Sequence, residues 1–241
     1  MKYFARAVVL DIEGTIGDIS FVKNVMFPIT RNSMPEYVAD PQANGIADEV
    51  HEVKTLLASE LKKSIAVITN EEITEYLVHC IDTDKKYAPL KSIQGKIWAK
   101  SFVSGKLESH LYPDVFHALK RFSEADLLLA VFSSGSITAQ KLYFKFSQAG
   151  DLTKLIRAWF DTRSGSKKEA SSYQHIADDL GLPAQEILFF TDNHDELKAA
   201  KKAGWQVAQL LRDHVVPAES FDQHATLDFV QISLPGENDE H

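Results

Sequence analysis

The sequence predicts an α/β fold: a Rossmann-like, doubly wound parallel sheet with a mostly helical cap inserted after its first strand. Three observations lead there. Short apolar runs of strand length occur before residue 11 and again after residue 126, as buried parallel strands require. Helix-period segments separate the later runs, which is the alternation of a doubly wound sheet. Between the first run and the rest lies a stretch with helical patterns and weak strand signals.

The first strand is Ala7–Leu10, which runs into a turn that Gly14 permits. From residue 21 to 105 the helix-like runs are 46–62, 71–80 and 90–102, while 65–68 reads as either a strand or a helix start. An insert at this point of an open α/β sheet is expected above the carboxyl ends of the strands, as a lid that excludes water. Core strands resume at 127–132, 187–190 and 206–211, and 157–160 can add a fifth. Ser171 or Ser172 is expected to cap a helix through His175, Ile176, Ala177 and Leu180, which Gly181 and Pro183 stop. Residues 196–203 read as a short helix ended by Gly204, and the acidic tail 235–241 as disordered. The expected organisation is therefore a core of residues 1–20 and 106–241 and a cap of residues 21–105.

Composition narrows the function classes. A chain of 241 residues, 44% hydrophobic and 25% charged, has the make-up of a soluble globular protein with a sizeable core. Its net charge of −8 argues against nucleic acid or an anionic membrane as partner. The single cysteine, Cys80, excludes an internal disulfide and fits a reducing compartment. The run at 7–10 is too short for a signal sequence and no stretch reaches the length of a membrane span, so a cytoplasmic location is expected. Without a long amphipathic seam for self-association, a monomer is expected. An acidic protein acting on an anionic substrate must neutralise it locally, with a metal ion, a lysine or backbone N–H groups.

Four segments carry candidate chemistry. In Val8-Val9-Leu10-Asp11-Ile12-Glu13-Gly14-Thr15, a strand delivers two carboxylates two positions apart, so both can reach one site. One can attack as a nucleophile while the other moves a proton. In the second, a buried strand ends in Ser133-Ser134-Gly135-Ser136, whose hydroxyls and N–H groups can hold phosphate oxygens; Ser136 can equally cap the helix that follows. In the third, Lys167 or the adjacent Lys168 follows a glycine loop and can neutralise a phosphate. In the fourth, a strand ends at Asp192, with Asp195 and Glu196 beyond it. Oxygen ligands from two strand ends suit Mg²⁺. Asp192 is the metal candidate, and Asp195 and Glu196 are supporting or capping groups.

Acid pair, hydroxyl, lysine and acid occur here in the order of the haloacid dehalogenase superfamily, which the chain resembles. Most members carry aspartate two residues after the nucleophile, where this chain has Glu13. That departure, with Phe21-Val22-Lys23-Asn24-Val25-Met26-Phe27-Pro28, Leu90 to Trp98, Ala139-Gln140-Lys141-Leu142 and Phe160-Asp161-Thr162, resembles the enolase-phosphatase family of methionine salvage, the acireductone synthases. Ile16 and Ile29 depart from its usual threonine and tyrosine without removing a catalytic group. The resemblance implies enolisation and then dephosphorylation of 2,3-diketo-5-methylthiopentyl-1-phosphate, with one Mg²⁺ per chain. It implies Asp11 as nucleophile, Glu13 as acid and base, Ser133, Ser134 and Lys167 as substrate-binding groups, and Asp11, Asp192 and the Glu13 carbonyl as metal ligands. Glu13 and His194 both stand as candidates for the enolising base, and Phe21 and Trp98 as cap groups that either meet the methylthio end or pack in a core. The rivals are a related phosphatase acting on another small ester and an inactive binding module of the same fold.

Overall fold

The computed structural model describes residues 2–83, 85, 87–212, 217–218 and 220–236. The predicted disordered tail therefore lies outside the described residues from position 237 onward. The backbone forms two units, Met1–Ile19 with Glu108–His241, and Ser20–Leu107.

The first unit is built on β-strands. A short strand, β1 (Lys2–Phe4), precedes β2 (Ala7–Leu10), the strand predicted as first in the sheet, and the helical segment follows β2. The remaining strands are β3 (Leu128–Phe132), β4 (Ala158–Phe160), β5 (Ile187–Thr191), β6 (Gln206–Leu210), β7 (Asp222–His224) and β8 (Gln231–Ser233). Among the described residues, six strands form one parallel sheet in the order β4-β3-β2-β5-β6-β7, and β1 pairs with β8. The strand order reverses at β2 and β5, the place where open α/β sheets bind ligands. In register, Leu10 lies beside Val131 on one side and Phe190 on the other. The residues just beyond these strands, Asp11, Ser133 and Asp192, are thereby brought together at the carboxyl end of the sheet.

Alternate residues of each strand face opposite sides. Ala7, Val9, Ala130, Phe132, Ile187 and Phe189 share a core with Tyr173 and Ile176 of α8 (Ala170–Leu180) and Leu197 and Ala200 of α9 (His194–Lys202). Tyr3 lies against Phe190 from the other face, with ring centroids 6.4 Å apart. Two further helices, α6 (Pro113–Glu124) and α7 (Ile137–Lys145), touch β3 and β4 respectively. The doubly wound sheet predicted from sequence is the observed one.

A short turn α1 (Ile19–Phe21) leads into the second unit, where a π-helical turn (Val22–Met26) and α2 (Phe27–Ala39) are followed by α3 (Ala47–Glu60), α4 (Asn70–Asp82) and α5 (Ala88–Val103). Met34 and Val38, Val53 and Leu57, Ile73, Leu77 and Cys80, and Ile93 and Ile97 recur at helical spacing and meet in one core. Thr69 and Glu72 form a reciprocal capping box at the start of α4. The Trp98 indole stacks on Phe27, with centroids 6.5 Å apart, and donates to the Met26 carbonyl at 3.0 Å, so its ring and N–H both have partners inside this unit.

Several local expectations change. Residues 65–68 hold a 3₁₀ turn, Ile65–Val67, rather than a strand. Helix α2 carries prolines at 28 and 35, which obscure its helical signal. Neither Ser171 nor Ser172 caps α8: the turn closed by Glu169 N–H to the Ser166 carbonyl starts the helix earlier, and the Ser172 hydroxyl donates back to that carbonyl at 2.7 Å. Gly181 does end α8, in the left-handed conformation. Helix α9 starts two residues before the expected position, because the Asn193 side chain accepts the N–H groups of Asp195 and Glu196. Among the described residues no helix is long and apolar enough to cross a membrane.

Candidate active site

Asp11 is the first residue past β2, and its N–H still donates to the Phe190 carbonyl at 3.0 Å. The next residues wind tightly: the N–H groups of Thr15, Ile16 and Gly17 all converge on the Ile12 carbonyl. Gly14 takes φ +81° in this loop, and a Cβ there would stand 2.5 Å from Asp192 Oδ2. Glycine is thus needed both for its backbone angle and for the approach of Asp192.

The Asp11 carboxylate is met from three sides. Lys167 Nζ contacts Oδ1, while the hydroxyls of Thr15 and Thr191 lie 3.2 and 3.4 Å from Oδ2. Lys167 is 7% exposed and also contacts Glu196 Oε2 at 2.7 Å, an oxygen that Thr191 Oγ1 approaches at 2.8 Å. The Tyr173 hydroxyl fixes the lysine backbone by donating to its carbonyl at 2.7 Å. Thr15 Oγ1 accepts the Asp192 N–H at 3.0 Å and lies 3.5 Å from Asp192 Oδ1, so one hydroxyl touches both Asp11 and Asp192.

Glu13 lies on the side of the site nearest β3. Ser133 Oγ donates to Glu13 Oε2 at 3.0 Å and accepts the Gly135 N–H at 3.1 Å. The buried amide of Gln140 holds this turn by donating to the carbonyls of Gly135 and Phe160, both at 2.8 Å. Ser136 caps α7 through its hydroxyl, which is the structural role weighed for it above.

The electrostatics follow from burial and from crowded carboxylates. Burial alone would lower the Lys167 ammonium, but the charges of Asp11 and Glu196 and their hydrogen bonds outweigh it and hold the pKa above the ordinary lysine value. Burial, followed by the charge of Asp11, pushes Asp192 up to about 6 and Glu196 up to about 7. The same two causes raise Glu13.

The donor set fits Mg²⁺. Among the described residues no group of three or more His, Cys, Asp or Glu side chains is arranged to hold a metal. Two carboxylates on adjacent strand ends, bridged by the Thr15 hydroxyl, leave the other positions to a carbonyl, waters and substrate oxygens. That is the set a small hard cation takes, since Mg²⁺ keeps much of its water. A divalent ion there would also relieve the repulsion between Asp11 and Asp192.

Asp11, Glu13, Ser133, Lys167 and Asp192, named from sequence, thus come together. Ser134 stands exposed at the next position along. Lys168 points outward and pairs with Asp195 at 3.1 Å, which separates it from the adjacent Lys167. His194 is exposed, with its ring 5.5 Å from that of Phe221. Sequence reasoning left Glu196 as a capping or supporting group, whereas it is an ion-pair partner of Lys167. Its one mark in the sequence, a place just past the strand that leads to Asp192, is shared with Asp195. The bridging hydroxyls of Thr15 and Thr191 leave little trace in the sequence: Thr191 directly precedes Asp192, and Thr15 stands between Gly14 and Ile16.

A family model described as haloacid dehalogenase-like hydrolase matches residues 5–204. Enolase-phosphatase E1 of Erwinia tasmaniensis is 42% identical over 230 residues, covering 95% of this chain and 98% of its own length. Enolase-phosphatase E1 of Aquifex aeolicus is 42% identical over 90% of this chain and 95% of its own. The one from Sorangium cellulosum is 44% identical over 86% and 88%. Among solved structures, the UTR4 protein of Saccharomyces cerevisiae superposes with a TM-score of 0.79 at 29% identity, covering 94% of this chain and 100% of that one. A haloacid dehalogenase-type phosphatase of Thermococcus onnurineus shares the fold, with a TM-score of 0.57 at 17% identity over 92% of this chain and 94% of that one.

Proposed function

The chain belongs to the haloacid dehalogenase-like hydrolases and, within them, to the enolase-phosphatase family, and on that premise we propose that it converts 2,3-diketo-5-methylthiopentyl-1-phosphate to 1,2-dihydroxy-3-keto-5-methylthiopentene and phosphate. The observation that carries the chemistry is the contact of buried Lys167 with Asp11, beside the Glu13–Ser133 pair. Relatives at 42% identity over nearly the whole chain support the substrate.

Enolisation comes first. A proton leaves the carbon that bears the phosphate, and one is delivered to the neighbouring carbonyl oxygen. Glu13 is the group we assign to this transfer, since His194 lies exposed against Phe221. In the second step an Asp11 carboxylate oxygen attacks phosphorus and the ester P–O bond breaks. Glu13, with its raised pKa, supplies the proton that the departing oxygen takes. Glu13 then takes a proton from water as the water oxygen attacks the aspartyl-phosphate, which releases phosphate and restores Asp11. Lys167 and the Ser133 turn bind the phosphate oxygens through charge and hydrogen bonds, and Ser134 joins them once substrate is present. Asp11, Asp192 and the Glu13 carbonyl would hold one Mg²⁺, which when bound screens charge on the phosphate.

We place this activity in the cytoplasm and assign it to a monomer; the single cysteine, Cys80, is free and buried in the helical unit, which suits a reducing compartment. The partner is the small phosphate substrate, with no nucleic acid or membrane. Turnover of the diketo phosphate with Mg²⁺, measured against a panel of sugar phosphates, tests the assignment. Preference for a sugar phosphate would make the chain a phosphatase of different specificity, and absence of turnover on every ester would make it a binding module.

A further inference from the structure

Arg212 lies just beyond β6, outside every motif that the catalytic reading uses. Its side chain is 6% exposed. The guanidinium forms a two-pronged pair with Asp114, with Nη1 and Nη2 each 3.0 Å from a carboxylate oxygen. Its plane lies over the Tyr112 ring at 4.3 Å. Asp114 is itself held by the Leu227 N–H at 2.8 Å. Nη1 also donates to the Ala225 carbonyl at 3.3 Å, and Nε reaches the Thr15 carbonyl at 2.8 Å.

That last bond ties the scaffold to the site. Thr15 is fully buried, and its hydroxyl is the group that touches both Asp11 and Asp192. The neighbouring Ile16 carbonyl accepts the Tyr112 N–H at 3.0 Å, so the segment that presents Asp114 and the ring under Arg212 anchors the same loop a second time. The loop is therefore clamped through two consecutive carbonyls, and one of the two clamps is a charged, rigid fork.

We propose that Arg212 is a positioning residue that sets the spacing of the Asp11 and Asp192 carboxylates through Thr15, and so tunes the affinity of the site for Mg²⁺. This rests on the reading of Asp11 and Asp192 as metal ligands. Groups that orient metal ligands from outside commonly change metal affinity by about 10- to 100-fold when removed. A side chain that only stabilised the fold would change the folded fraction and leave the affinity of the folded protein unaltered.

The test is Mg²⁺ titration of the full chain by calorimetry, alongside KM and kcat on p-nitrophenyl phosphate. Arg212→Lys keeps the charge but loses the fork and the Nε bond. It should bind Mg²⁺ about 10-fold more weakly, with KM for the ester within about two-fold of the original. Thr15→Val should weaken Mg²⁺ similarly, and the double variant should be no worse than Thr15→Val alone, since Arg212 would act through the placement of the Thr15 hydroxyl that Thr15→Val removes. Unchanged Mg²⁺ affinity in Arg212→Lys, or additive losses in the double variant, would overturn the proposal. If Arg212→Lys does not fold, Asp114→Asn gives the same readout: weaker Mg²⁺ binding supports the proposal and unchanged binding overturns it. An original protein that bound no Mg²⁺ at all would remove the metal-ligand reading, and this proposal with it, a result distinct from a variant that binds normally.

Discussion

Lys167 contacts Glu196 at 2.7 Å while also contacting Asp11, so one buried ammonium is shared by a carboxylate just past β2 and one in the first turn of α9. The sharing keeps the lysine charged despite its burial, as the phosphate-binding role proposed for it requires. Lys167→Met retains the length of the side chain and removes the charge. Phosphatase kcat should fall by about 10²–10³-fold, the cost of losing one donor that stabilises transition-state charge. Urea unfolding should show a loss of about 3 kcal/mol, because the carboxylates stay buried without their partner.

Asp11→Asn should abolish turnover. The amide keeps the shape of the carboxylate but cannot form the acyl phosphate. Thermal unfolding should shift little, and original turnover in the Asp11→Asn variant would exclude covalent catalysis at this position.

Gly14→Ala strikes the same site from the backbone. The added Cβ would stand 2.5 Å from Asp192 Oδ2, at a φ of +81° that alanine resists. The strain should cost about 1–2 kcal/mol by chemical denaturation. The larger effect should be on Mg²⁺: half-activation should need about 10-fold more ion, as Asp192 is pushed aside.

The Arg212–Asp114 pair sets an acid limit on stability. Burial by itself would raise the Asp114 carboxyl, but hydrogen bonds from Arg212 and the Leu227 N–H outweigh it and hold the pKa below the ordinary carboxylate value. A depressed carboxyl contributes stability above its unfolded pKa of about 3.9 and loses it as pH falls through the folded value. Asp114→Asn should therefore lower stability at neutral pH and flatten the acid limb of the stability–pH curve. Equal slopes for both proteins below pH ~4 would show that other carboxylates set that limb.

Much of the core was readable because buried parallel strands are apolar along their whole length. Ala7–Leu10 is the predicted strand residue for residue, and β3, β5 and β6 differ from expectation by one residue at an end. Strands β1, β7 and β8, each of three residues, carry too little pattern to register. Helix α6 also escaped notice, although Val115, Ala118, Leu119 and Phe122 lie on one face.

The acids and hydroxyls of the site announce themselves by standing where an apolar run stops, a property of neighbouring residues alone. From that the sequence by itself determined the α/β class, the four chemistry-bearing segments, and the kinship that Glu13 and the insert motifs mark. It could not choose between Lys167 and Lys168, or between Asp195 and Glu196, since adjacent residues have the same local signal. Only the tertiary structure decided those pairs, by turning Lys167 and Glu196 into the buried cluster and Lys168 and Asp195 out to solvent. The same holds for Arg212, 197 positions from the carbonyl it grips. Contacts of that kind are made by strand order and burial, which bring together groups whose separation along the chain carries no trace of their meeting.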